Sequence, residues 1–121
     1  MEKDFKVQIT TAQLLNQQYN SMVSNNWCLV NARIYNKDHT RYRKIKLVEL
    51  IDADDLYEYY YDDNKSEEEN DRGYTKQEIL WMAKENALFT IEAYMNNYKD
   101  TKAVYDYANE TIEKYNQCGT W

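Results

Sequence analysis

Residues 27–35 read Trp27-Cys28-Leu29-Val30-Asn31-Ala32-Arg33-Ile34-Tyr35, and the rest of the architecture is built on them. Side chains of an extended chain alternate between two faces. Cys28, Val30, Ala32 and Ile34 therefore make one apolar side, with Trp27, Leu29, Asn31, Arg33 and Tyr35 on the other. The next residues, Asn36-Lys37-Asp38-His39, are turn formers, and Thr40 to Leu50 reads as the returning strand of a hairpin. Its basic residues alternate unevenly with Ile45 and Leu47, which admits a bulge in that strand.

Upstream of the hairpin, Phe5, Val7 and Ile9 alternate with Lys6 and Gln8 as a short strand. Thr10 then reads as a helix N-cap, with Gln13 completing a capping box and Ile9 stapling onto Leu14. Leu15, Tyr19, Met22 and Val23 would form the apolar face of that helix, and Asn25-Asn26 its end.

Downstream, Asp52 caps a short helix running to about Asp63. Residues 64–73, NKSEEENDRG, are too polar to bury and read as a mobile acidic loop. Thr75 opens a long helix, with Glu78 completing the capping box and Tyr74 stapling onto Ile79. Its apolar stripe is Leu80, Ala83, Ala87, Leu88, Ile91, Tyr94, Met95 and Tyr98, at steps of three and four. Trp81, next to Leu80, is expected in the core. Asp100 or Thr101 starts a last helix with Val104, Ala108, Thr111, Ile112 and Tyr115 inward. Gly119 stands at its stop, and Trp121 either folds back or is offered to a partner. The expected fold is α+β, a single domain over 1–121. A small antiparallel sheet (strand, helix, hairpin) leads into a short acidic helix and a C-terminal antiparallel helical hairpin.

Composition agrees with long helices: 121 residues hold no proline, two glycines and thirteen tyrosines. The start, Met1 to Lys6, is charged with no apolar run behind it, so secretion is not expected. Cys28 and Cys118 then read as free thiols. No run is long and apolar enough for a membrane helix, and the expected location is the cytoplasm.

The net charge of −6 hides a dipole written along the chain. From Glu49 to Asp71, eleven acids face Lys65 alone, a charge of −10, which leaves +4 for everything else. Immediately upstream, Arg33, Lys37, Arg41, Arg43, Lys44 and Lys46 face only Asp38. Such asymmetry says where partners touch.

Asp54, Asp55, Glu58 and Asp62 fall at helical steps along one side, followed by Asp63 and the Glu67-Glu68-Glu69 run. Duplex DNA carries one charge per about 3.4 Å along each strand, and helical neighbours lie about 5–6 Å apart. Such an array can engage a groove of lysines and arginines built for phosphates, with Tyr57 and Tyr61 as aromatic anchors. The competing reading is a solvated face and a cap.

In small size and in residues 49–71 the chain resembles phage and mobile-element proteins that block host defence enzymes, including anti-CRISPR proteins and DNA-mimic antirestriction proteins. The resemblance implies a non-enzymatic inhibitor that binds a nucleic-acid-handling host enzyme, a CRISPR effector nuclease first, inside the host cell. The implied partner-binding residues are Asp54, Asp55, Glu58, Asp62, Asp63, Glu67, Glu68 and Glu69, with Tyr57 and Tyr61. Two alternatives stand beside it. One is a nucleic-acid-binding accessory protein using Arg33, Arg41, Arg43, Lys44 and Lys46 with Tyr35 and Tyr42. The other is a phage or mobile-element regulatory subunit that dimerises through its tyrosine-bearing helices, so monomer and homodimer are both open.

No metal or cofactor is expected. Residues 62–67 lack the glycine of a calcium loop, His39 is the lone histidine, and no phosphate-binding glycine motif is present. With one histidine and Cys28 on the inward side of a strand, no catalytic constellation stands out, and the chain does not read as an enzyme.

Overall fold

The computed structural model describes residues 5–15, 25–98 and 101–118. Strands β1 (Phe5–Leu14), β2 (Asn25–Asn36) and β3 (Tyr42–Asp52) are followed by helices α1 (Ala53–Tyr59), α2 (Glu67–Asn70), α3 (Lys76–Tyr98) and α4 (Thr101–Cys118). The strands form one antiparallel sheet in the order β1-β2-β3. The fold is α+β.

The hairpin forms as its alternation requires. Asn36 closes it, donating its N–H to Arg41 O at 2.9 Å and accepting at Oδ1 from the Thr40 and Arg41 amides. β2 and β3 pair without interruption from Tyr35↔Tyr42 to Asn25↔Asp52. The irregularity admitted for β3 lies instead in β1, where the register shifts between Ile9 and Thr11.

That bulge also removes the helix expected to start at Thr10. Residues 10–14 continue the strand, and the Thr10 hydroxyl donates to Asn31 O at 3.0 Å. One extra residue moves the inward positions from Val7 and Ile9 to Ala12 and Leu14. The resulting step of three looks helical in sequence, although the chain stays extended. The remainder of that expected helix, with Tyr19, Met22 and Val23, lies outside the described residues, as do Gly119 and Trp121 and the side chains of Tyr98 and Cys118.

Cys28, Val30, Ala32 and Ile34 of β2, with Ile45, Leu47 and Ile51 of β3, form the floor of the core. On it lie Ile79, Met82, Ala83, Ala87, Ile91 and Met95 of α3, Val104 and Ala108 of α4, and Leu56 of α1. Relative to the expected stripe, Ile79 and Met82 move inward, while Leu80, Leu88 and Tyr94 are only partly covered. The start of α3 follows the expected chemistry. The Glu78 amide donates to Thr75 Oγ1 at 3.1 Å, the Thr75 amide donates to Glu78 Oε1 at 3.0 Å, and Tyr74 and Ile79 are both buried.

The two long helices divide the work: α3 crosses the sheet, and α4 runs beside β3. An edge strand leaves backbone groups without ladder partners. On β3 two are satisfied by α4, where Val48 N–H donates to Thr111 Oγ1 at 2.9 Å and Tyr105 Oη donates to Lys44 O at 3.0 Å.

Candidate acidic interface

The acidic stretch leaves the sheet at the end of β3. The Asp52 carboxylate accepts from the Asp55 amide at 2.8 Å and starts α1. Leu56 pins the helix to the core, so Asp54, Asp55 and Glu58 point to solvent. Tyr60 continues the attachment: its ring packs on Tyr74 at 5.8 Å, and its hydroxyl donates to Glu78 O at 2.9 Å. α1 ends at Tyr59 and not near Asp63, so Asp62 and Asp63 lie off the helix and do not extend the line of Asp54, Asp55 and Glu58.

Residues 62–71 are organised by Asn70, a buried residue within a stretch that reads as too polar to bury. Its amide Nδ2 donates to Asp62 O, Lys65 O and Ser66 O, and its Oδ1 accepts from the Asp62 amide at 2.8 Å. Ser66 and Glu69 form a reciprocal capping box around the single turn of α2. The segment expected to be mobile thus contains a hydrogen-bonded turn that presents Glu67 and Glu68 outward.

The eight acids therefore differ in availability. Asp54, Asp55, Glu58, Asp63, Glu67 and Glu68 are exposed. Asp62 is half-buried, with Oδ1 accepting from the Asn64 amide, and Glu69 is engaged in its cap. None of the eight forms an ion pair among the described residues. Arg72, the nearest arginine in sequence, is held elsewhere. It makes a forked pair with Glu78 at 3.1 and 2.9 Å, and its guanidinium lies 4.6 Å from the Tyr74 ring. Those hydrogen bonds hold the Glu78 carboxyl down at about 2.

Tyr57 and Tyr61 meet edge to face at 5.5 Å. With Glu67, Glu68 and Asp71, Tyr57 lines an open recess of about 400 Å³. Desolvation, then Tyr61, Glu67 and Asp71, push its phenol above the ordinary range. Asp55 is raised by desolvation and by Asp52 and Glu58. Both shifts show negative groups crowding one surface with no cation to relieve them.

The surface extends onto α3 through residues whose exposure the sequence did not announce. Trp81, expected in the core, is 53% exposed, and its Nε1 donates to Tyr59 Oη at 3.1 Å. Phe89, eight residues on, is 76% exposed. With Glu85, Leu88, Glu92 and Ala93 it lines a second recess of about 400 Å³. Trp81, Glu85, Phe89 and Glu92 share a phase opposite to Ile79, Ala83, Ala87 and Ile91. That phase was the available signal.

The basic hairpin lies at the other end of the sheet. The 11 residues of β3, at about 3.3 Å each, separate the hairpin tip from α1 by more than about 30 Å. Arg33 and Lys44 are cross-strand neighbours on the face away from the core, Arg43 pairs with Ile34, and Arg41 ends the turn. The sequence dipole is thus a spatial dipole, and it does not collapse on itself.

One acid of the stretch points the other way. Glu49 lies opposite Cys28, with Oε1 buried and without a hydrogen-bond partner. Burial pushes its carboxyl up to about 7. Burial first, then Glu49, pushes the Cys28 thiol up to about 12. A thiol so placed stays protonated and is a poor nucleophile.

Among the described residues no three His, Cys, Asp or Glu side chains are grouped to hold a metal ion, and no helix is long and apolar enough to cross a membrane. Comparison with protein-family models, with curated proteins and with solved structures gives no match for this chain.

Proposed function

We propose that this chain is a non-catalytic inhibitor that binds a nucleic-acid-handling enzyme, a CRISPR effector nuclease first, by offering the acidic face of α1 and α2 to a site built for DNA phosphates. One observation carries the reading: six exposed carboxylates surround the Tyr57–Tyr61 pair, and none is neutralised within the molecule. Retaining such crowding costs stability, because like charges at helical spacing repel by a few tenths of a kcal/mol per pair. A partner lined with lysine and arginine converts that repulsion into attraction and speeds encounter. Trp81, Tyr59, Tyr61 and Phe89 supply exposed aromatic area of the kind that dominates binding energy at interfaces. The compartment that goes with this reading is the cytoplasm of a host cell.

The test is inhibition of DNA cleavage by a guide-loaded effector, measured with the native chain and with Glu67→Lys/Glu68→Lys. The charge reversal is expected to weaken inhibition at least tenfold and to flatten its salt dependence, and excess target DNA is expected to displace the native chain. Unchanged inhibition with an unchanged salt slope removes α2 from the mechanism.

A further inference from the structure

At the end of the sheet opposite the acidic face, the tip of the β2–β3 hairpin, the first residue of β1 and α3 enclose a recess of about 420 Å³. We propose that this recess binds a nucleotide unit, with Arg41 and Arg43 on the phosphate and the base against the apolar and tyrosine surfaces. The proposal is independent of the acidic face.

Three features carry it. The volume lies within the ~300–1,000 Å³ typical of small-molecule sites, and such sites combine apolar walls with a few polar groups. Here Phe5, Ile34 and Met95 supply the apolar wall. Second, Arg41 and Arg43 both line the recess, and neither guanidinium makes an ion pair or a side-chain hydrogen bond among the described residues. Two unengaged guanidiniums beside one cavity favour an anion with planar, forked acceptors, which phosphate offers. Third, the rim is aromatic. Tyr35 and Tyr42 lie 5.2 Å apart, and the Arg33 guanidinium sits 4.5 Å from the Tyr42 ring centroid. The Tyr35 hydroxyl receives Arg33 Nη1 at 3.5 Å and donates to Gln8 Oε1 at 3.2 Å, which holds the rings in place. Tyrosine faces and guanidinium planes are the surfaces on which bases stack.

An inorganic anion alone would use the arginines and leave the apolar wall and both tyrosines idle. A nucleotide uses all three. Beyond the recess, exposed Lys44 and Lys46 continue along the outer face of β3, beside Arg33 and Asn31 of β2. That line of cations gives the next phosphates of a strand somewhere to lie. A free nucleotide and a unit of single-stranded nucleic acid share the chemistry of the recess, and the experiment separates them.

The probes are fluorescein-labelled dT12 and U12, followed by anisotropy with the intact chain at low salt, with AMP and UMP as unlabelled competitors. The expected result is saturable binding, weakened at least tenfold in Arg41→Gln/Arg43→Gln and in Tyr42→Ala. For the double variant the log–log salt slope should also fall by roughly 0.7 for each phosphate that an arginine no longer neutralises. Displacement by mononucleotide at concentrations near that of the oligonucleotide identifies a free nucleotide as the ligand. Displacement only by a great excess identifies the strand. All three positions are outside the buried core, and thermal melts of the variants verify that they fold. Glu67→Lys/Glu68→Lys retains oligonucleotide binding if the two ends act separately. The absence of binding by either oligonucleotide and either mononucleotide overturns the proposal. Binding that none of the Arg41, Arg43 and Tyr42 substitutions alters overturns it equally.

Discussion

Replacing Glu49 by glutamine should make this protein more stable above neutral pH and change little near pH 5. The carboxyl lies opposite Cys28 on the core face, with Oε1 buried and unpartnered, and Tyr107 of α4 senses its charge. In the unfolded chain such a group loses its proton near 4.5; in the folded chain burial holds it until about 7. Between those values the unfolded state releases a proton that the native state keeps, so stability falls as pH rises and then levels off above the native value. The width of that window corresponds to at most about 3 kcal/mol. Glutamine keeps the shape and removes the charge, so the variant loses this part of the pH dependence. Urea unfolding at pH 5 and pH 8 measures it directly. The native chain should lose more stability than Glu49→Gln over that interval, by up to about 3 kcal/mol. At pH 8 the variant should melt higher, by about 3–4 °C per kcal/mol for a domain of this size. Repulsion among the surface acids is common to both proteins and cancels in the comparison. Glu78 works in the opposite direction: its carboxyl is held down, so its contribution is present above 4.5 and is lost as pH falls toward 2. Parallel stability-against-pH curves for native and Glu49→Gln would refute the placement of this carboxyl in the core.

Asn70→Ala removes three donors and an acceptor from a buried position and should cost about 2–3 kcal/mol. Hydrogen exchange should quicken first at the amides of residues 62–71; uniform acceleration across the chain would deny Asn70 a local role. Trp81→Ala and Phe89→Ala alter exposed side chains, so each should shift stability by only about 0.5 kcal/mol. Each should nevertheless weaken inhibition of the effector severalfold or more if the α3 stripe belongs to the interface. Unchanged inhibition in both confines the interface to α1 and α2.

Much of this architecture was legible where the controlling interactions are local. The alternation of residues 27–35 locates β2 and its inward side, because strand faces repeat every two residues. Asp52 and the Thr75–Glu78 pair mark two helix starts, because capping joins residues three apart. The helix expected from Thr10 shows where local patterns mislead. A bulge changes the phase of a strand by one residue, and what stabilises that change is pairing with β2, more than twenty positions away.

The α+β class, the hairpin, the long C-terminal helices and the separation of charge into a basic and an acidic segment are all written in the order of residues, because each arises from neighbours along the chain. Packing settled which side chains are available. It turned Glu49 inward and Trp81 outward, buried Asn70 to shape the acidic turn, and engaged Arg72 with Glu78. It also set the basic tip and the acidic helix at opposite ends of β3, leaving both unneutralised. Those outcomes depend on which face of one element meets another, and two acids with the same charge and similar neighbours in sequence acquire opposite environments only when the sheet and helices pack.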